Sequence, residues 1–365
     1  MSALPCRPED FDYALPPERI AQTAVEPRDS ARLLVVHRQS GALEHRIFRD
    51  LPDYLTSNDA LVLNQTRVIP ARLRARKVRS GGAVEILLAQ KLTDEQWLAL
   101  LGGKRLTVGT RLRVEGAPDL EAEVCEVREG AQRVIRFSAP VEPHLQQIGE
   151  LPLPPYIHQK LSDPERYQTV YSRVEGSAAA PTAGLHFTPE LLLRIREMGV
   201  ALVYCTLHVG LGTFLPLRED QIATRRLHAE YAELSPEAAR QLNEVKLRGG
   251  RIFAVGTTTV RTLETAALYA LGVTPERLTQ AGYEDAEQCA WRPLSAFSAQ
   301  TELFIMPGFK FRAVDAMITN FHLPKSSLLM LVSAFAEREL ILRAYQVAIQ
   351  EQYRFYSLGD AMLIV

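Results

Sequence analysis

The sequence predicts an α/β fold built on a mostly parallel sheet and interrupted by a small antiparallel β-domain. Three observations carry that expectation. From about residue 181 onward helical and strand patterns alternate, the order of a parallel sheet with crossover helices. Between about residues 69 and 140 the texture changes to short alternating or β-branched runs separated by glycine-rich turns. Two strand-like stretches ahead of that region, 31–37 and 60–63, have nothing to pair with unless they join the later sheet, so the β-domain reads as an insertion.

Taken in order, the inserted region shows strand patterns at 83–89, 111–114, 121–127 and 133–137, with turn signals at Gly81-Gly82, Gly102-Gly103, Gly109 and Gly130. The proline-rich stretch 151–156 reads as a stiff return linker. Beyond it the patterns predict helix at 189–198, strand at 201–207, helix at 236–247, strand at 251–255, helix at 259–270, an apolar run at 316–318 and one helix over 327–350.

With 365 residues, 47% of them hydrophobic, the chain can bury a large core and has room for about two domains. Its longest apolar stretch, 328–336, is too short to span a bilayer. Residues 1–10 lack the order of a signal peptide, so a cytoplasmic location is expected. Cys6, Cys125, Cys205 and Cys289 are scattered, without CxxC spacing, and are read as reduced thiols. The histidines are equally dispersed, and no metal is expected. A net charge of -1 excludes whole-molecule attraction to nucleic acid, so any such contact must be local. Two basic groups qualify: Arg67, Arg72, Arg74, Arg76, Lys77 and Arg79, with no acidic residue until Glu85, and then Lys104, Arg105, Arg111 and Arg113. Solvated strand faces would produce the same pattern.

Segments rich in Gly, Thr and His fall at element ends, where α/β folds bind ligands. PTAGLHF places Thr182, Gly184, His186 and Phe187 ahead of a helix. TLHVGLGTF carries Thr206, His208, Gly210, Gly212 and Thr213 out of a strand. Gly256, Thr257 and Thr258 lie between a strand and a helix bearing Arg261, where free backbone amides suit an anion or a hydroxyl-rich ligand. Thr319, Asn320, His322 and Lys325 follow the run 316–318. In His228-Ala229-Glu230 an extended backbone puts the base and the carboxylate on one side. A single histidine is more often a packed structural residue than a catalyst, and Gly-Thr clusters are common turns. Several such loops converging on one place make the pattern of a ligand site. The glycines match neither a dinucleotide nor a nucleoside-triphosphate motif.

At these residues the chain resembles a known family, the S-adenosylmethionine:tRNA ribosyltransferase-isomerases of queuosine biosynthesis (the QueA family). The resemblance runs from FDYALP (11–16) through LNQTRVIPAR (63–72), APTAGLHF (180–187), TLHVGLGTF (206–214) and TNFHLPKS (319–326) to GDAMLI (359–364). The chain departs from the family's usual pattern at Leu215, Ala299-Gln300 and Leu358. The resemblance implies a barrel-like mixed α/β main domain, residues 1–68 and 151–365, with an inserted antiparallel β-barrel over 69–150, acting as a monomer.

The activity it implies moves the ribosyl unit of S-adenosylmethionine onto 7-aminomethyl-7-deazaguanine at the tRNA wobble position. Adenine and methionine are released, and epoxyqueuosine remains in the tRNA. S-adenosylmethionine is then a consumed donor, with no recycled cofactor. That chemistry needs a base and an acid, for which His186, His208, His228, His322 and Glu230 are candidates. Thr182, Thr206, Thr257 and Thr258 suit ribose hydroxyls or the methionine carboxylate, Arg261 and Lys325 that carboxylate, and Phe187 or Phe214 the sulfonium. Arg67, Arg72, Arg74, Arg76 and Lys77 are the expected tRNA contacts. Other readings of the same residues are an RNA-binding module on an inert scaffold, a nucleoside transferase or lyase, and an S-adenosylmethionine methyltransferase.

Overall fold

The computed structural model describes residues 7–159, 161, 163–210, 217, 219–273 and 293–365. The chain begins with the antiparallel pair β1 (Arg32–Val36) and β2 (Leu43–Ile47), followed by β3 (Ala60–Asn64) and the short β4 (Thr66–Val68). It then leaves into six strands: β5 (Arg72–Lys77), β6 (Ala83–Lys91), β7 (Gln96–Gly102), β8 (Arg111–Val114), β9 (Glu121–Val127) and β10 (Gln132–Phe137). These close into a barrel in the order β10-β7-β6-β5-β8-β9. Closure removes the free edges that such short strands would otherwise expose. Alternation supplies the interior: Leu73 and Ala75 of β5, Val84 and Ile86 of β6, and Leu112 and Val114 of β8 are buried in one cluster. Val141 and Leu145, at the start of and within α1 (Glu142–Ile148), belong to the same cluster and cover the end of the barrel nearest the chain's return.

After the return, β11 (Val174–Ser177) pairs with β4, and α2 (Pro189–Glu197), β12 (Ala201–Leu207), α3 (Glu219–Thr224) and β13 (Arg226–Leu234) follow. Next come α4 (Pro236–Leu247), β14 (Ile252–Val255), α5 (Thr257–Ala270), β15 (Phe297–Leu303), β16 (Ala316–Asn320), α6 (Ser327–Ala336), α7 (Arg338–Gln350) and β17 (Ala361–Ile364). The main sheet has nine strands in the order β15-β13-β12-β3-β14-β16-β17-β1-β2. Its centre, β12-β3-β14-β16, is parallel; β13 and β17 flank it in antiparallel pairings, and β17 in turn runs parallel to β1.

The apolar runs of β3, β14 and β17 are buried at every position because both faces of the sheet are covered. One face, with Val62, Ala254 and Met317, shares a core with Leu242, Leu263 and Val332 of the long helices. The other, with Leu61, Leu63, Val255 and Ile318, packs with Phe48, Phe187 and Ile195. The helix expected over 327–350 is two helices. Glu337 sits between them at φ 63°, a left-handed conformation that ends α6 and restarts the chain as α7. Among the described residues no helix is long and apolar enough to cross a membrane.

Candidate active site

The parallel strands β3, β14 and β16 end on the same side of the sheet, and Asn64, Gly256 and Asn320 stand at those ends. Asn64 ties three elements together. Its amide donates to Leu207 O (3.0 Å) and Thr258 Oγ1 (3.2 Å), and its Oδ1 accepts from the backbone amides of Thr66 and Leu207 (3.1 Å each). Beside it opens a cavity of about 600 Å³, within the range of roughly 300–1,000 Å³ typical of small-molecule sites. Thr182, Gly256, Thr257, Thr258, Thr319, Asn320, His322 and Lys325 all line it. Nominated residues from three of the four Gly/Thr/His segments thus meet on one wall.

The hydroxyl-rich wall is cross-linked. Thr182 Oγ1 donates to Asn320 Oδ1 (2.9 Å), and the Asn320 amide donates to Tyr356 O (3.2 Å). His322 is held at three points. Its Nε2 bonds Thr319 Oγ1 at 2.6 Å, its backbone amide donates to the Tyr345 hydroxyl at 2.8 Å, and its carbonyl accepts from the Tyr13 hydroxyl. Nδ1 is the ring nitrogen left over. Burial pushes the imidazole's pKa down to about 3, so it is neutral at working pH. The expectation of a histidine titrating near neutrality is corrected at this position, because desolvation of the charged form moves it far below.

Lys325 stands on the cavity wall at φ 56°, its ammonium 3.0 Å from Asp12 and its amide donating to Phe11 O. The N-terminal segment is thereby docked against the 322–326 loop, bringing Pro8 and Glu9 to the cavity. Among the described lining residues, Lys325 and Glu9 are the ammonium and the carboxylate.

Other expected site residues lie elsewhere. His186 is buried, stacked on Phe48, with Nδ1 and Nε2 against the carbonyls of Ala183 (3.1 Å) and Gly359 (2.9 Å). It braces the wall from behind, and desolvation lowers its pKa. Phe187 is fully buried edge-on to Phe48, so it offers no face to a sulfonium in the cavity. Gly184 is required by packing: a Cβ there would sit 2.1 Å from the Tyr171 hydroxyl. Thr206 accepts from Gln65 and is buried away from the cavity. His208 bonds Thr66 Oγ1 at 2.7 Å and stacks on Tyr231, outside the cavity; burial lowers its pKa while Glu233 opposes the shift.

His228, Glu230 and Arg261 line a smaller adjoining recess that shares Leu217, Ser327 and Leu328 with the main cavity. There Glu230 forms a buried ion pair with Arg261 and accepts from the Gly210 amide at 2.7 Å. Gly212, Thr213 and Phe214, with Leu215, Cys6 and Cys289, lie outside the described residues.

The aromatic wall has no counterpart among the expected residues. Tyr156, Tyr167, Tyr356 and Ser357 line the cavity, with Tyr156 and Tyr356 at 4.9 Å between ring centroids and the Tyr156 hydroxyl 2.6 Å from Ser357 Oγ. Burial raises the pKa of Tyr156 and of Tyr356. Tyr156 ends a stretch that reads as linker, and no Gly/Thr/His pattern marks Tyr356-Ser357. The positive φ of Tyr356 (70°) is a signal visible only in three dimensions.

The basic strand face is neutralised by carboxylates that the fold brings from other segments. Arg67 pairs with Glu165, Arg72 with Glu85, Arg74 with Glu150 and Arg76 with Glu115. Lys77 instead donates to the backbone carbonyls of Lys104 and Arg105. The run looks unopposed along the sequence because Glu115, Glu150 and Glu165 come from far downstream. Among the described residues no cluster of three or more metal-ligating side chains occurs.

A cavity of this size at the carboxyl edge of a parallel sheet, walled by hydroxyls, aromatic rings and one oriented imidazole, defines an α/β protein built to bind a small polar ligand. Comparison with known proteins supplies the particular family. The family model described as "Queuosine biosynthesis protein" matches residues 8–364, and the chain belongs to that family. It is 51% identical over 363 residues to the S-adenosylmethionine:tRNA ribosyltransferase-isomerase of Moorella thermoacetica, covering 98% of this chain and 100% of the relative. The protein of the same name from Symbiobacterium thermophilum is 51% identical over 362 residues, covering 98% and 100%. The crystal structure of an S-adenosylmethionine tRNA ribosyltransferase from Thermotoga maritima is similar at 38% identity and a TM-score of 0.54, covering 98% of this chain and 100% of that one.

Proposed function

We propose that this chain is an S-adenosylmethionine:tRNA ribosyltransferase-isomerase. It moves the ribosyl unit of S-adenosylmethionine onto 7-aminomethyl-7-deazaguanine at the wobble position of tRNA, releasing adenine and methionine and forming epoxyqueuosine. The observation that carries this reading is the agreement, over nearly the whole chain, with relatives of that name at 51% identity. We read the chain as a monomer that acts in the cytoplasm, where its tRNA substrate is found. S-adenosylmethionine serves as donor and is consumed.

The cavity suits each part of the donor. A purine can stack on the Tyr156 and Tyr356 rings. Ribose hydroxyls meet Thr182, Thr257 and Thr258. Lys325 and Glu9 complement the carboxylate and the amino group of the methionine portion.

The sulfonium acidifies the adjacent ribose methylene, and the first step removes a proton from it. His322 is the group assigned to that step. With Thr319 Oγ1 accepting from Nε2–H, Nδ1 carries the lone pair; burial makes the free ring a weak base, so its imidazolium must be stabilised as it forms by the negative charge developing on the carbon beside it. The imidazolium so formed can give its proton to the departing adenine and, neutral again, take one from the attacking base amine; methionine leaves as an uncharged thioether and needs no acid. Glu230, bound to the Gly210 amide and to Arg261, is assigned to holding the backbone at Gly210, just after β12.

The test is chromatography of the products formed with S-adenosylmethionine and tRNA bearing the aminomethyl-deazaguanine. Adenine and methionine in equal amounts, dependent on that tRNA, support the proposal. S-adenosylhomocysteine in their place would make the protein a methyltransferase.

A further inference from the structure

The barrel gathers cations that are far apart in the sequence. β5 runs away from the junction with the main sheet, where Arg72 pairs with Glu150 through the backbone, and ends at Lys77. Strand register places the loops 78–82, 103–110 and 128–131 at that same far end: β6 begins there, β7 ends there, and β9 runs toward it. At about 3.4 Å per residue, the stretch from Arg72 to Lys77 puts this end roughly 17 Å from the junction.

The loops are tied into one surface. Lys77 Nζ donates to the carbonyls of Lys104 and Arg105, Arg133 Nε donates to Leu106 O at 3.0 Å, and Arg133 also reaches Gly130 O at 2.8 Å. On this surface stand Lys77, Arg79, Lys104, Arg105 and Arg128, with Glu129 as the carboxylate within those loops and Glu126 nearby, paired to Arg128. Arg79, Lys104 and Arg105 are exposed, and among the described residues none of the three has a carboxylate within ion-pair distance. The strand face with Arg67, Arg72, Arg74 and Arg76 is, by contrast, matched arginine for carboxylate. In a chain whose net charge is -1, the far end of the barrel is therefore a local concentration of positive charge.

We infer that this end of the barrel is a phosphate-binding surface for the tRNA, separate from the cavity that handles the target base; the inference rests on the function proposed above. Tyr156 and Tyr167, on the segment that returns from the barrel, line the cavity, so the cavity lies toward the barrel's near end. An RNA hairpin whose loop enters there runs its stem along the barrel, and its backbone meets Lys104 and Arg105 well away from the chemistry. Such contacts hold the RNA in register without reading sequence, and their strength falls with salt.

The test is Lys104→Glu/Arg105→Glu, two exposed positions, assayed with full-length tRNA and with a truncated hairpin that keeps the loop but only the first few base pairs. With full-length tRNA, KM rises about tenfold or more, kcat at saturating tRNA stays near wild type, and the log–log salt slope of binding shrinks by roughly 2. With the truncated hairpin, variant and wild type behave alike. Equal KM and equal salt slope for full-length tRNA, or an equal loss on the hairpin, would overturn the inference. A wild-type protein that turns over without tRNA dependence would instead sink the proposed function, so the two failures are distinguishable.

Discussion

Thr319→Val isolates the orienting bond on His322. Valine keeps the shape and β-propensity of a buried strand residue, and removes only the hydroxyl that lies 2.6 Å from Nε2. The His322 backbone amide donates to the Tyr345 hydroxyl and its carbonyl accepts from Tyr13, so the loop stays in place while the ring is freed. A hydrogen bond of this kind is worth about 1–2 kcal/mol net. If the ring's tautomer and direction matter only as the proton moves, that loss falls on kcat, as roughly a 5- to 30-fold decrease. Affinity for S-adenosylmethionine should change little, and Thr319→Ser, which keeps the oxygen, should retain most of the rate. Single-turnover release of adenine, with calorimetry for donor binding, separates the two effects. A Thr319→Val enzyme with wild-type kcat would refute the assignment of His322 as an oriented base.

Three further outcomes follow from the same geometry. Because His322 has its pKa depressed to about 3, against about 6.5 in the unfolded chain, its neutral form favours the folded state above pH 6.5, and that contribution is lost as pH falls toward 3. The wild-type and His322→Gln rates should accordingly differ by a constant factor between about pH 6 and 8; a wild-type limb near 6.5 that vanishes in the variant would contradict the neutral imidazole. Arg261→Met removes the guanidinium facing buried Glu230 and should cost about 3–5 kcal/mol, with Glu230→Gln in the same chain restoring part of it in thermal melts. Gly184→Ala sets a Cβ 2.1 Å from the Tyr171 hydroxyl and should destabilise by about 1–3 kcal/mol. Adding Tyr171→Phe should recover part of the loss, because Thr169 Cγ2 would still lie 2.9 Å from the new Cβ, and no recovery would place the strain elsewhere.

How much of the structure is legible in the sequence depends on how local its cause is. β8, β9, β12 and α4 begin and end where the patterns predict, because alternation, a proline at the first helical turn and the Ser235 cap are encoded within a few residues. β2 is an edge strand, largely exposed, whose sequence LEHRI carries no apolar alternation; only its pairing with β1 makes it a strand. The same division holds in the site. Thr257, Thr258, Thr319 and Asn320 are legible because they stand at or just beyond strand ends. Tyr156 and Tyr356 are not, since both reach the cavity by way of loops whose course is set by tertiary packing. His186 and Phe187 belong to a conspicuous motif, but the tight approach of Gly184 to Tyr171 turns them into the packed backing of the wall.

If this chain is the ribosyltransferase proposed, the ribosyl carbons of S-adenosylmethionine, and not its methyl group, end up in tRNA. The most direct measurement uses donor labelled separately in the ribose and in the methyl group, incubated with the protein and tRNA bearing the aminomethyl-deazaguanine. Ribose label is expected to become acid-precipitable in proportion to adenine released, while methyl label stays soluble as methionine. Methyl label in the tRNA, or adenine released with no ribose label transferred, would contradict that assignment.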